Sequence, residues 1–444
     1  MAKRSVRLLA TATVVALGVA ACGGSSSGGG GGGGGTSGTS SAPGVTADSV
    51  LIGSTQPLTG IAAPGYSEIA PASEAYFKWV NAHGGINGRQ INFKYLDDAY
   101  DPSKTGTLTK QLVLQDKVFA IFEGLGTPTH ETVVNFLNQQ KVPDLFVASG
   151  CLCWNDPSAH PQTFGWLPDY TREGKILGDY VKKNFAGKKI GIFAQGDDFG
   201  DNGIKGFEQE VPADQIASIQ HYDPTNIKIA PLVSKLQKAG VQVLVSFSVP
   251  AFTALLRLQS AGLGFNPQLV VSSVGSDPVT LAGLISNFAK EGGKTVKGED
   301  LIQGIITDGY LPSAADPSNS WIKLFMKVYK KYLAKKYPVF DGNIEYGLAS
   351  AYTFAEALAA AGPNPTRESL VAAVEANKFA GPNLTPYAYS ADDHSGMTGV
   401  QMGVIKGLAI ELQGTPLTTD DGSGPIEAYT TPQATAPANG VPTG

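Results

Sequence analysis

At 444 residues the chain is long enough for two or three domains of roughly 100 to 200 residues each, and too long for one small core. Charged residues make up 16% of it, against about 25% in ordinary domains, and hydrophobic residues 42%, so the bulk folds and is not a charge-swollen disordered polymer. The net charge of −5, with no basic cluster beyond the first ten residues, excludes nucleic acid as the expected partner and leaves a small solute open. Three cysteines are too few for a disulfide scaffold and match no zinc spacing, so no metal and no cofactor is expected.

Lys3, Arg4 and Arg7 precede an apolar run from Leu8 to Ala21, the order of a secretory signal at residues 1–21. The run is short for a bilayer span. It ends in Val19-Ala20-Ala21-Cys22, which resembles the lipobox of bacterial lipoproteins, in which the cysteine takes a diacylglycerol and becomes the mature N-terminus. Two acyl chains at about 0.8 kcal/mol per buried CH₂ give stable anchoring where one is marginal. The alternative is an ordinary signal peptide with an incidental cysteine. Residues 22–44 are almost pure Gly, Ser and Thr beyond Cys22, which predicts a flexible tether. Losing the three basic residues of the signal takes the net charge from −5 to −8.

From Val50 onward short apolar runs alternate with helical patterns. Strands are predicted at 50–54, 91–96, 118–122 and 144–148, with helices at 69–82, 105–115 and 129–140 between them. After an irregular stretch to about Pro168 the alternation resumes: helices at 171–184, 202–210 and 251–262, and strands at 189–194, 216–221, 241–246 and 268–272. Strand–helix alternation of this size implies parallel βαβ units, and two such runs imply two doubly wound α/β lobes. Helices are predicted at 321–336, 346–361 and 367–376. The final segment, 413–444, is rich in Thr, Pro, Gly and Ala and is expected to stay outside the core.

Four motifs carry a family resemblance: IGSTQPLTG at 52–60, NAHGGINGRQI at 81–91, DDAYDP at 97–102 and DDFGDNG at 197–203. In order and spacing they resemble the type I periplasmic solute-binding proteins of ABC transporters, in the leucine/isoleucine/valine-binding branch, and the likeness continues more weakly to about Leu412. The resemblance implies two Rossmann-like lobes closing on a ligand and joined by a three-segment hinge, which permits bending but resists sliding. Lobe one would be 45–168 plus 308–386, and lobe two 169–307 plus 387–412.

The residues themselves point first to Gly124–Thr129, where the carboxyl end of a buried strand meets a helix N-terminus that attracts an anion. In the family the matching turn holds the ligand's carboxylate, which gives Thr127 that role with Thr129 as second candidate; the competing reading is that Thr129 only caps its own helix. Ser149, Gly150 and Cys151, after the next strand, would share the cleft rim. The resemblance places Phe199, Ser248, Val274 and Asp277 on the opposing face and lets Tyr346 close the cleft from lobe one. Relatives that bind amino acids usually offer a carboxylate near Val274; here Asp277 or Glu345 could supply it, and otherwise the ligand is a carboxylate or amide with an apolar body. With Cys22 lipidated, Cys151 and Cys153 are the two thiols left in an oxidising compartment, and pairing and two free thiols both stay open. Asp97, Asp98 and Asp101 fit turn-making and helix-capping better than a metal site.

No GxSxG elbow, P-loop, HExxH or dinucleotide GxGxxG after a strand is present, so no enzyme is expected; the hydrolase alternative would use Cys151 as nucleophile and His130 as base. The expectation is a monomeric, exported protein, anchored by Cys22 to the outer face of the membrane. It would capture a branched-chain or other amino acid, an amide or a carboxylate and deliver it to the permease subunits of an ABC importer. A sensor presenting its closed form to a receptor would use the same mechanism.

Overall fold

The computed structural model describes residues 42–443, so the signal, Cys22 and most of the tether lie outside the described residues. The first lobe is built on a parallel sheet of β1 (Ser49–Gln56), β2 (Gln90–Asp97), β3 (Ile121–Phe122), β4 (Asp144–Val147) and β5 (Thr163–Gly165), in the order β2-β1-β3-β4-β5. Helices Ile69–Ala82 and Gly342–Ala360 lie against one face of it, where Phe77, Phe122 and Phe354 meet edge to ring at 5.1–5.9 Å. Such aromatic edges add about 0.5–1.5 kcal/mol each beyond area burial.

The second lobe holds β6 (Ile190–Gln195), β7 (Ile216–Tyr222), β8 (Val243–Phe247), β9 (Gln268–Val271), β10 (Ile306–Gly309), β11 (Gly399–Lys406), β12 (Ala409–Leu412), β13 (Leu417–Thr418) and β14 (Glu427–Ala428). Strands β6 to β10 pair in parallel, and β11 joins β10 antiparallel. The glycines of DDFGDNGIKG let helix Asp198–Glu210 press against helix Tyr170–Asn184: a Cβ on Gly206 would stand 2.0 Å from the Thr171 carbonyl oxygen. The two sheets of mostly parallel strands are the doubly wound α/β architecture that the alternation predicts.

Helix Ile69–Ala82 keeps its predicted bounds, whereas two neighbouring elements differ. The strand expected at 118–122 is regular only at Ile121–Phe122, although Phe119 N–H still donates to Leu51 O at 2.7 Å. The helix expected at 105–115 starts at Pro102, capped by Asp101, and ends in a π turn at Gln111–Gln115 that buries Leu112 and Val113. At the tether boundary, Ala42 and Gly44 already belong to the body, since Val45 N–H donates to Ala42 O and Leu51 N–H to Gly44 O.

The C-terminal segment corrects the expectation that it stays outside the core. After β14 it runs from the second lobe back to the first, where Trp321 Nε1 donates to Ala434 O at 2.6 Å, Trp79 Nε1 to Asn439 O at 3.0 Å and Tyr76 Oη to Gly440 O at 2.8 Å. On the second lobe its loop accepts from the buried Lys175 Nζ through Asp420 Oδ1, Gly422 O and Gly424 O at 2.6–3.0 Å. The chain thus passes between the sheets at 166–169, 310–319 and 376–398, and this strap makes a fourth crossing where three were expected.

Candidate functional site

Between the lobes lies a cavity of about 210 Å³. Leu125, Gly126 and Thr127 reach it from the turn after β3. Gly126 has φ 100°, and a Cβ there would meet the Tyr100 ring at 2.4 Å, so glycine is required both for the turn and for the packing of that ring. Helix Thr127–Gln139 starts with no side-chain cap, and the Thr127 hydroxyl is 2.7 Å from that of Ser149. Its uncapped first turn faces the cavity with the positive end of a helix dipole.

Tyr100 enters through two successive left-handed residues, Ala99 (φ 54°) and Tyr100 (φ 61°). Such residues cost on the order of 1–3 kcal/mol and persist only where the surroundings fix them. Asp97 and Asp98 do so: Asp97 accepts from the amides of Leu58, Thr59 and Ala99, and Asp98 from that of Tyr100. These aspartates make the turn and Asp101 caps the helix after it, as their spacing suggests.

Thr127, Phe199, Val274, Asp277 and Tyr346 all line the cavity. The other candidates stand one layer behind it. Thr129 donates its hydroxyl to Leu125 O and Gly126 O, and the Tyr170 ring covers Gly150. The Ser149 hydroxyl holds Thr127 and the Cys151 amide; Ser248 is held between the hydroxyls of Ser246 and Thr253 at 2.6 and 2.7 Å, leaving Val249 on the wall. Cys151 turns into an apolar cluster with Val134, Val147 and Trp154.

The sulfurs of Cys151 and Cys153 stand 2.20 Å apart, in bonding distance. Glu131 and Asp198 complete a group of four potential ligand atoms within 4.8 Å of one another, but the sulfurs are engaged with each other. His130 Nε2 contacts both carboxylate oxygens of Asp144 at 2.9 Å, and Cys151, its sulfur engaged with that of Cys153, offers no free thiol as nucleophile. Intact mass with thiol alkylation is expected to show no reaction at Cys151 and Cys153 until reductant is added; alkylation of both in the unreduced native protein would exclude the pair.

The cavity also takes residues that the motifs do not announce: Tyr66, Tyr310, Phe340, Asp308 and Asp341. Tyr170, beside the first crossing, packs its ring 4.4 Å from that of Phe199, and burial pushes its hydroxyl up to about 12. The Glu345 carboxyl is held well above the usual range by burial and by Asp341 and Asp277 nearby, and that of Asp308 by burial and Glu173. Across the mouth, Tyr66 Oη donates to Val274 O at 2.9 Å, Gly342 N–H to Asp277 Oδ2 at 3.1 Å and Asn343 Nδ2 to Thr280 Oγ1 at 3.0 Å.

Two α/β lobes with a solute-sized cavity walled by both, and with hydrogen bonds bridging its mouth, define a cleft-closing binding protein. The sequence pattern of the periplasmic binding protein family matches residues 49–409, and the chain belongs to that family. Among curated relatives, Leu/Ile/Val-binding protein homolog 3 of Brucella melitensis is 24% identical over 294 residues, 61% of this chain and 76% of that protein. A branched chain amino acid ABC transporter structure from Thermus thermophilus with bound valine superposes with a TM-score of 0.73 at 18% identity, covering 84% of this chain and 97% of its own. A fatty acid ABC transporter substrate-binding protein from Thermomonospora curvata gives 0.71 at 20%, covering 88% and 98%. These likenesses establish the fold and leave the solute to the cavity's own chemistry.

Proposed function

We propose that the chain is an extracytoplasmic solute-binding lipoprotein that captures a small organic solute, a branched-chain or other amino acid, an amide or a carboxylate, in the interlobe cavity and delivers it to an ABC importer. The observation that carries this reading is the cavity itself, closed by side chains of both lobes and bridged by the Tyr66, Gly342 and Asn343 hydrogen bonds. The names of the relatives and structural neighbours support transport as the setting. The lipobox-like Val19–Cys22 supports attachment through Cys22 to the outer face of the membrane, and no helix among the described residues is long and apolar enough to cross one. Cleft residues Thr127, Phe199, Val274, Asp277 and Tyr346 contact the solute, with Thr129, Ser149, Gly150, Cys151 and Ser248 supporting them from behind.

Ligand binds the closed form more tightly than the open one and shifts the population toward it, and the permease reads the closed surface. Thermal-shift screening of amino acids, amides and carboxylates, followed by small-angle scattering on any hit, tests this. A true solute at 100 times its Kd adds about 2.7 kcal/mol of stability and keeps the particle compact. Turnover of a bound compound by the purified chain would overturn the reading.

A further inference from the structure

We infer that the cavity is built for a solute of net positive charge, a basic amino acid or an organic amine, held between two acidic poles lined with tyrosine. The inference rests on the interlobe cavity being the solute site, and it specifies the charge of the guest.

One pole consists of Asp277, Asp341 and Glu345, with the Glu68 carboxyl beside that of Asp341. The other is Asp308, with Glu173 behind it. Two of these groups line the cavity with little exposure, Glu345 at 3% and Asp308 at 1%; Asp308 Oδ2 has only the Glu173 carboxyl beside it, and Glu345 Oε1 has no hydrogen-bond partner. Tyr346 Oη, also on the wall, has none. Among the described residues, no Lys, Arg or His lines the cavity. Lys336 acts on Glu68 from behind, and Arg172 is committed to Asp169 at 2.9 Å, away from the wall.

Buried carboxylates without a cation cost several kcal/mol unless protonated or paired. An ammonium or guanidinium group supplies the missing partner. Tyr310 is within electrostatic reach of both Asp308 and Glu345, and Tyr66, Tyr100 and Tyr170 add aromatic rings to the lining, a residue type that attracts cations. The uncapped helix start at Thr127 remains available to a carboxylate, which admits a basic amino acid. An amino acid with an uncharged side chain brings one positive group to two acidic poles, and a simple carboxylate brings none.

Calorimetry and thermal shift on the full mature chain with arginine, 1,5-diaminopentane, leucine and isovalerate decide the matter. Arginine or the diamine is expected to bind at least ten-fold more tightly than leucine or isovalerate. Glu345→Gln is expected to weaken that binding ten-fold or more without lowering the melting temperature of the solute-free protein; if that variant does not fold, Asp308→Asn serves in its place. Preference for leucine or isovalerate, or no binding of either cation, overturns the inference. So does an unchanged affinity in the variant. Leucine preference leaves the solute-binding reading standing, whereas failure of every solute in the wider screen removes both.

Discussion

Replacing Glu123 by Gln is expected to flatten the fall in stability between pH 5 and pH 8 and to leave the variant about 4 kcal/mol more stable than the native chain at pH 8. Glu123 follows β3 and is fully buried between helices Ile69–Ala82 and Gly342–Ala360. Ser73 Oγ is 2.8 Å from Glu123 Oε2 and 2.9 Å from Gly347 O, and Ser350 Oγ bonds Glu123 Oε1. A serine hydroxyl has one proton for two acceptors, and a protonated carboxyl supplies another, so the network is complete when Glu123 is neutral.

Burial raises its carboxyl from 4.5 to about 8, with the two serines opposing the shift. The folded chain therefore holds one proton more than the unfolded chain between those values. The associated stability is fully present below the unfolded pKa and is lost as pH rises toward about 8, at about 1.4 kcal/mol per pH unit. The cleft acids shift in the same direction, so the native curve contains their share as well, and comparison with Glu123→Gln isolates one residue. Urea midpoints at pH 5 and pH 8 measure it; equal slopes for the two proteins would show that Glu123 is ionised throughout.

Deleting residues 429–444 is expected to lower stability by at least about 2–6 kcal/mol, from the four hydrogen bonds that side chains of the body donate to the segment at about 0.5–1.5 kcal/mol each, with the three that the segment donates to Pro382, Pro416 and Ser320 and apolar exposure adding to it. The donors are Trp321, Trp79, Tyr76 and Asn319, the last bonded to Gln433 at 2.8 Å. Trp321 and Tyr76 are fully buried in the intact chain. Removal strands both unless water replaces the strap. The denaturation midpoint is the readout, and a truncated protein that unfolds with the full chain would reduce the strap to a passive covering.

This segment illustrates what composition hides. Its Thr, Pro, Gly and Ala residues offer little apolar surface, yet it docks through backbone carbonyls onto indole, phenol and ammonium donors far away in sequence. Nothing in the segment's own letters records those partners. Helix Ile69–Ala82, by contrast, was legible because its apolar positions repeat on one face, and Phe199 and Thr127 because each follows a strand end in a recognisable motif. Tyr100 and Tyr310 reach the cavity from loops and Tyr66 from the one-turn helix Ala63–Tyr66, and the paired left-handed residues that aim Tyr100 have no periodic signature. Asp341 meets Asp277 only after the chain has crossed between lobes, and Asp308 meets Glu173 only through the folding of the second lobe. Asp277-Pro278 carries a helix-start signal, and Asp277 indeed accepts the Thr280 amide at 2.8 Å while also lining the cleft, one carboxylate serving both tasks.

The hydrogen bonds from Tyr66, Gly342 and Asn343 to the far jaw span the entrance. A guest held behind them leaves only when all three part together, so the frequency of gaping caps the rate of unloading, and a partner that pries the jaws open shortens the stay.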